Sequence, residues 1–260
     1  MGDKTLTQYH QALQWEPNLP IVYYAMSWDF YLNFNLLDSA EYHALHAVKL
    51  APSWVLPICF LSGVFSGSLF SGRLKQFDRA RHYLEIANSI DSNSVYVLNA
   101  LGSYYYNRKE FAPAEQQFIK AIQHNSSYVQ SYIALADLYF RTGRYAESEQ
   151  HCKKAIQLDF TIRRPFKILG SVYAVTNRFN DAELQFKKNL QSDDSTSAGV
   201  FEDLVLLYFS TQRYPEAEEL YKKAFQLDST NANIYYNYAC GQSLQKHSSK
   251  AFEYSSSASG

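Results

Sequence analysis

The sequence AEQQFIKAIQHNS at residues 114–126 decides the fold, because it returns at a fixed interval along the chain. Related segments are SEQHCKKAIQLDF at 148–160, AELQFKKNLQSDD at 182–194 and AEELYKKAFQLDS at 217–229. Each segment opens with a small residue, and a second alanine or an asparagine follows seven positions later, on the same face of a helix. The segments start 34 or 35 residues apart. A constant interval of this size is typical of a helical repeat protein.

A second helical stretch precedes each of these segments. The four stretches cover residues 96–111, 131–145, 165–179 and 200–214, and their apolar residues recur at i, i+3, i+4 and i+7. A short turn joins each stretch to the segment that follows, and Gly143 stands where one first helix would end. Each repeat is therefore predicted to be a helix, a tight turn and a second helix.

All seven prolines agree with this register. Each is predicted to lie between repeats or in the first turn of a helix, where a missing N–H is tolerated. Pro17, Pro20 and Pro52 fall between repeats, Pro57 and Pro165 begin first helices, and Pro113 and Pro215 begin second helices. A wrong register would place some of them in the middle of a helix.

The repeats resemble the tetratricopeptide repeat family, whose pattern places an aromatic residue, Leu-Gly and Tyr on the first helix, Ala, an aromatic residue and Ala on the second, and Pro at the end of the 34-residue unit. Those positions hold Leu98, Leu101, Gly102, Tyr105, Ala114, Phe118, Ala121 and Ser126 in the third repeat, and Phe166, Leu169, Gly170, Tyr173, Ala182, Phe186, Asn189 and Asp194 in the fifth. The resemblance implies an all-α fold, a right-handed superhelical α-solenoid of helix-turn-helix repeats. First helices would line a concave groove, and second helices would form the convex face.

The register predicts one solenoid over residues 1–260. Its full repeats cover approximately 18–52, 53–92, 93–126, 127–160, 161–194 and 195–229, with partial repeats at 1–17 and 230–260. Residues 66–76 lengthen the connection between the two helices of the second full repeat. No capping repeat covers either apolar end. We therefore expect either a segment of a longer protein or self-association through the uncapped ends.

The composition bears on partners and compartment. The 260 residues carry a formal net charge of -1, so no global charge favours nucleic acid or an anionic membrane. The sequence contains neither an apolar run long enough to span a bilayer nor the apolar core of a signal peptide. The three cysteines (Cys59, Cys152 and Cys240) are far apart and are typical of reduced thiols. We expect a cytoplasmic protein.

The sequence predicts no catalytic site, no metal site and no cofactor site. His43 and His46 are three residues apart, but no third ligand lies near them in sequence. The sequence also lacks a phosphate-binding glycine loop and a nucleophile elbow. The resemblance implies a non-catalytic scaffold or adaptor that binds a peptide or partner protein in the concave groove. Two alternatives stay open: a regulatory or substrate-presenting region of a larger enzyme, and an RNA-binding α-solenoid.

Successive helical residues point about 100° apart, which separates the adjacent tyrosines 104–106. Tyr105 occupies the family's core position, Tyr104 is predicted to contact a neighbouring repeat, and Tyr106 is predicted to face the groove. The same phase predicts these groove residues: Tyr24, Trp28, Tyr31, Cys59, Tyr96, Asn99, Ser103, Tyr106, Gln130, Asp137, Phe140, Arg141, Arg164, Lys167, Glu202, Phe209 and Tyr236. An aromatic-lined groove suits a peptide. The alternative is that these aromatic side chains pack on one another.

Arg141, Arg163, Arg164 and Lys167 are predicted to meet where the fourth full repeat adjoins the fifth. Guanidinium groups bind carboxylates bidentately, so an acidic partner segment would dock there. Acidic groove residues predicted nearby offer an alternative, which is an internal charge network on a solvated face.

Overall fold

The structure is a computed structural model that describes residues 2–67, 76–190, 199–227, 238–239 and 241–243. Its contacts divide the chain into two compact units, residues 1–138 and residues 139–260. Within the described ranges every regular element is a helix, which confirms the all-α prediction. None of these helices combines the length and the apolar character that crossing a bilayer requires.

Unit 1 (residues 1–138) contains three helical hairpins. Its helices are α1 (Gly2–Trp15), α2 (Pro20–Leu32), α3 (Leu37–Leu50), α4 (Leu56–Ser66), α5 (Phe77–Ile90), α6 (Val95–Asn107) and α7 (Phe111–His124), and α8 (Val129–Arg141) continues across the boundary of the units. The hairpins are α2 with α3, α4 with α5, and α6 with α7. Each hairpin also packs on the next, since α3 contacts α4 and α5 contacts α6.

Unit 2 (residues 139–260) follows the same plan. Its helices are α9 (Tyr145–Leu158), α10 (Arg164–Val175), α11 (Phe179–Leu190), α12 (Gly199–Ser210) and α13 (Tyr214–Leu227). Here α10 pairs with α11 and α12 with α13, while α9 packs on α10 and α11 on α12. A second helix therefore lies between two first helices.

The hairpin turns share one backbone conformation. Left-handed φ angles of 65°, 76°, 61° and 60° occur at Lys109, Gly143, Asn177 and Gln212. At each turn the next backbone N–H donates to the carbonyl five residues earlier, at 2.8 to 2.9 Å, as in a Schellman motif. The prediction that Gly143 ends a helix is confirmed. Three other residue types adopt the same conformation at equivalent positions.

Small residues lie at the helix crossings, as the register predicts. Six of them are 0% exposed: Ala40, Ala80, Ala114, Ser148, Ala182 and Ala217. Gly102 and Gly170 mark another close approach, because a Cβ atom at either position would run into the ring of Phe118 or Phe186. Close packing at these sites excludes larger side chains.

The prolines lie where helices tolerate them. Pro57 and Pro165 are in the first turns of α4 and α10. Pro113 and Pro215 are in the first turns of α7 and α13. Pro20, expected between repeats, is instead the first residue of α2. Most of the predicted partial repeat at 230–260 and the centre of the 66–76 insertion lie outside the described residues.

Candidate partner-binding surface

Side chains from several repeats of unit 1 form an aromatic cluster. It consists of Tyr24 and Trp28 on α2, Trp54 before α4, Cys59 on α4, Tyr96 on α6 and Tyr128 before α8. The ring centroids of Tyr24 and Trp54 are 5.0 Å apart at an interplanar angle of 72°. Those of Tyr96 and Tyr128 are 5.5 Å apart at 85°. Edge-to-face pairs of this kind stabilise each other beyond their buried area.

Electrostatic coupling joins the two ring pairs. Burial, together with smaller contributions from Tyr96, Cys59 and Tyr24, raises the pKa of Tyr128 to about 12. Burial also raises the pKa of the Cys59 thiol to about 12. Because the thiol stays protonated at neutral pH, Cys59 offers neither a thiolate nucleophile nor a thiolate ligand. The aromatic cluster therefore presents rings and hydroxyl groups for contact.

The structure brings Tyr24, Trp28, Cys59 and Tyr96 together, as the groove phase predicts. Tyr96 is 39% exposed, and the other three are partly buried. Sequence reasoning missed Trp54 and Tyr128. Both lie just before a first helix, where helical periodicity does not predict which way a side chain points. An aromatic residue at the same place in two repeats is the signal that would have found them.

Polar groove positions of unit 1 bond to one another. The Tyr106 hydroxyl donates to Asp137 Oδ2 at 2.6 Å. The Asn99 side-chain amide donates to Ser131 Oγ at 2.6 Å and to the Val95 carbonyl at 3.1 Å. These hydrogen bonds fasten α6 to α8, so Tyr106 and Asn99 contribute to packing.

Among the three adjacent tyrosines, Tyr104 is the buried one, at 6% exposure. Its ring contacts the rings of Phe77 in α5, at 5.9 Å, and of Tyr105, at 5.6 Å. The prediction that Tyr104 meets a neighbouring repeat is confirmed. Tyr105 packs against the hydrophobic core, as its core position predicts, but its side chain is only half-buried and lines a pocket with Leu84 of α5.

The prediction that Tyr31 and Phe209 face the groove is wrong, because both side chains are buried. Tyr31 is 0% exposed, with its ring 5.9 Å from that of Phe60. Phe209 is 3% exposed and contacts the ring of Tyr238 at 6.1 Å. Both side chains turn into the helix packing because a neighbouring helix covers that side of their own helix.

The remaining groove predictions differ in exposure. Ser103, Phe140 and Glu202 are half-buried, and Gln130, Arg141 and Arg164 are exposed. Phe140 packs against Tyr145, with ring centroids 6.0 Å apart. Tyr236 lies outside the described residues.

The basic residues of unit 2 are held by different partners. Arg163 Nη1 donates to the Asn189 carbonyl at 3.0 Å and to the Lys188 carbonyl at 3.3 Å, at the end of α11. Lys167 Nζ pairs with Asp203 Oδ2 at 3.0 Å. These contacts fit the alternative of an internal charge network, in which Lys167 and Arg163 already have partners.

Comparisons with known proteins agree with the helical repeats. Tetratricopeptide repeat profiles match residues 95–123, 129–161 and 206–246. No curated protein matches the chain by sequence.

Three solved structures illustrate the similarity of fold. The structure of pilF from Pseudomonas aeruginosa has a TM-score of 0.61 at 16% identity, over 85% of this chain and 96% of that one. The Cut9 and Hcn1 hetero-tetramer of APC/C gives a TM-score of 0.72 at 12% identity, over 92% of this chain and 46% of that one.

YrrB, described as a tetratricopeptide repeat protein with an unusual peptide-binding site, has a TM-score of 0.51 at 16% identity, over 74% of this chain and 96% of that one. At these identities the likeness concerns the fold alone. Repeat register, helical hairpins and three family profiles point the same way: the chain contains repeats of the tetratricopeptide repeat family.

Proposed function

We propose that this protein is a non-catalytic scaffold and that unit 1 binds a peptide segment of a partner protein through the aromatic cluster. The observation that carries the proposal is the gathering of five aromatic side chains from four successive repeats around Cys59. Tyrosine and tryptophan provide large contact areas with little loss of side-chain entropy, and they are frequent at binding hot spots.

The exposure of the cluster supports this proposal. Tyr96 is 39% exposed, and its ring meets Tyr128 edge to face, so both present an aromatic surface together with a hydroxyl group. A partner peptide with apolar side chains would bury these rings, and its backbone would bond to the hydroxyl groups. The neighbouring polar positions at Asn99 and Tyr106 are already paired, so they define the end of the proposed surface.

Two further ideas receive less support. An acidic partner segment near Arg141, Arg164 and Lys167 would have to compete with Asp203 for Lys167. Self-association through the chain ends would involve residues that are mostly outside the described ranges. The relative YrrB is itself described as having a peptide-binding site, which favours a peptide as the first class of partner to test.

A peptide-display selection tests the proposal. The chain has three tryptophans, and the bait is the Trp15→Phe variant. Its two remaining tryptophans, Trp28 and Trp54, both belong to the aromatic cluster. Peptides that the bait enriches are synthesised and titrated while tryptophan emission is followed. Binding to the cluster changes this emission, because both remaining indoles lie in it.

Variants locate the binding surface. Tyr96→Ala is expected to weaken binding by about tenfold or more, as at other hot-spot aromatics. The matched control is Tyr42→Ala on α3, which removes a tyrosine that is 63% exposed and lies outside the cluster. Its affinity is expected to stay unchanged. Failure to enrich any peptide, or an equal loss of affinity in both variants, would contradict the proposed surface.

A further inference from the structure

A glutamate, a tyrosine and an arginine close the contact between α9 and α10. The Tyr173 hydroxyl donates to Glu149 Oε1 at 3.0 Å, and Arg178 Nη1 lies 3.0 Å from Glu149 Oε2. The Arg178 guanidinium also stacks over the Tyr173 ring, 3.9 Å from its centroid. Lys153 adds an ion pair to the same carboxylate at 2.7 Å. The carboxylate is the common acceptor of the cluster.

The contact between α11 and α12 repeats this arrangement. Tyr208 donates to Glu183 at 2.8 Å, Arg213 pairs with the same carboxylate at 2.5 Å, and Lys187 pairs with it at 2.6 Å. Arg213 stacks over the Tyr208 ring at 4.3 Å.

Unit 1 reaches the same chemistry with other residues. Glu41 on α3 accepts hydrogen bonds from Arg79 and Tyr83 of α5. Arg79 stacks over the ring of Phe65, at 3.9 Å. Phe65 holds the tyrosine position of the repeat but has no hydroxyl, and Tyr83 supplies one.

At the contact between α5 and α6 every charge of this arrangement is reversed. Arg81, Glu85 and Glu110 occupy the repeat positions that Glu149, Lys153 and Arg178 hold in unit 2, and Tyr105 keeps the tyrosine position. A guanidinium has no acceptor, so Arg81 cannot accept the hydroxyl proton of Tyr105. In the described part of the chain, the Tyr105 hydroxyl forms no hydrogen bond.

The side chains with reversed charge form ion pairs with residues close in sequence, and a space remains between α5 and α6. Arg81 Nε bonds to Glu85 at 2.9 Å, and Arg108 Nε bonds to Glu110 at 2.7 Å. A pocket of about 510 Å³ lies between them. Its apolar part is formed by Leu84, Leu101 and the rings of Tyr104 and Tyr105. Its polar part is formed by Asn88 and by the two ion pairs, Arg81 with Glu85 and Arg108 with Glu110. The volume is within the range of small-ligand sites.

We propose that this pocket binds a carboxylate attached to a leucine-sized apolar group. The carboxylate would accept hydrogen bonds from the Tyr105 hydroxyl and from a guanidinium of Arg81 or Arg108, as Glu149 does between its own tyrosine and arginine. The apolar group would lie over Leu84 and Leu101. Arg81 uses only its Nε on Glu85 in this part of the structure, so its remaining N–H groups are available. Exposed ion pairs such as Arg81 with Glu85 are weak, so they yield readily to a ligand.

The test is an amide-resolved NMR titration of the whole chain with three small probes. N-acetylleucine carries a chain-terminal carboxylate, N-acetylleucine amide has the same apolar group without a charge, and N-acetyl-leucyl-glutamic α-amide carries the carboxylate on an acidic side chain. Millimolar affinity is expected for ligands of this size. Either acid should shift signals around Leu84 and Tyr105. The acid that binds more tightly shows whether the carboxylate comes from a chain terminus or from an acidic side chain. Signals around Tyr173 should not shift, because Glu149 already occupies that contact.

Two variants complete the test. Tyr105→Phe keeps the ring and is expected to weaken binding of the acid about tenfold through loss of a hydrogen bond to a charged group. The triple variant Arg81→Glu, Glu85→Lys and Glu110→Arg restores the charges found in unit 2. It is expected to raise the unfolding midpoint and to abolish binding, because a side-chain carboxylate then fills the site.

Several results would overturn the proposal. These are equal shifts with the acid and the neutral amide, no shifts with either acid, or unchanged affinity in Tyr105→Phe. The aromatic cluster is a separate surface, so each outcome is independent of peptide binding there.

Discussion

The Tyr106 hydroxyl donates a 2.6 Å hydrogen bond to Asp137 Oδ2, which joins the first helix of one repeat to that of the next. In the same sequence triplet, Tyr104 is buried, and the Tyr105 hydroxyl has no hydrogen-bond partner in the described part of the chain. Three identical neighbouring side chains therefore have three different roles. Their positions on α6 separate them by about 100° each.

Removal of the Tyr106 hydroxyl is expected to destabilise unit 1. Tyr106→Phe keeps the ring and loses the bond to Asp137, which should lower the free energy of unfolding by about 1 kcal/mol. Urea denaturation followed by circular dichroism measures this change. Tyr105→Phe is the matched control, since that hydroxyl makes no such bond, and it should leave the midpoint unchanged. Equal effects of the two substitutions would contradict the inference that the Tyr106 hydroxyl stabilises the packing between α6 and α8.

Overpacking tests the register of the second helices. Ala114 is 0% exposed, whereas Ala112 of the same helix is exposed. Ala114→Leu should destabilise the fold by about 1–3 kcal/mol, because no space is left at the crossing. Ala112→Leu adds the same side chain on the solvent side and should have little effect. Thermal unfolding of both variants checks this, and similar melting curves would refute the register.

Arginine and lysine are expected to differ at the α11 and α12 contact. Arg213 pairs with Glu183 and stacks on Tyr208, and a lysine can keep the charge but not the planar stacking. Arg213→Lys should therefore cost about 0.5–1 kcal/mol of stability. Arg81→Lys at the open contact of α5 and α6 serves as the control, and its unfolding midpoint should match the wild type. A larger effect at Arg81 than at Arg213 would contradict this assignment.

The stability of unit 2 is expected to fall in acid through Glu183. Burial alone would raise the pKa of this carboxyl, but hydrogen bonds from Lys187, Arg213 and Tyr208 outweigh it and lower the pKa from 4.5 to about 2. A carboxyl with a lowered pKa in the folded state stabilises that state above its unfolded pKa. This contribution is lost as the pH falls from about 4.5 towards 2.

Glu183→Gln reveals this contribution in urea unfolding measured at pH 6, 4 and 2.5. The wild type should be more stable than the variant at pH 6, and the difference should shrink as the pH falls. Glu218→Gln on α13 removes a surface charge that pairs with Lys222 and controls for the change in net charge. A difference between wild type and Glu183→Gln that is as large at pH 2.5 as at pH 6 would exclude ionisation of Glu183 as its cause.

The sequence by itself determined the repeat. Small residues at 34-residue intervals, helical periodicity and proline positions identify helix pairs, because each of these features depends only on local backbone geometry. Burial of Ala114 and the left-handed turn at Gly143 follow from the same local rules. Tyr24 and Trp28 of α2, Cys59 of α4 and Tyr96 of α6 were likewise placed together by phase alone.

The tertiary structure decided which side chains have partners. Tyr31 and Phe209 are buried although their phase predicted exposure, and Trp54 and Tyr128 join the aromatic cluster from connections without a helical phase. A contact across 24 or more residues, such as that of Glu149 with Tyr173, depends on how closely two helices cross. Helix crossing is set by the sum of many packed side chains, so a local pattern specifies the helix but not the partner that its side chains meet.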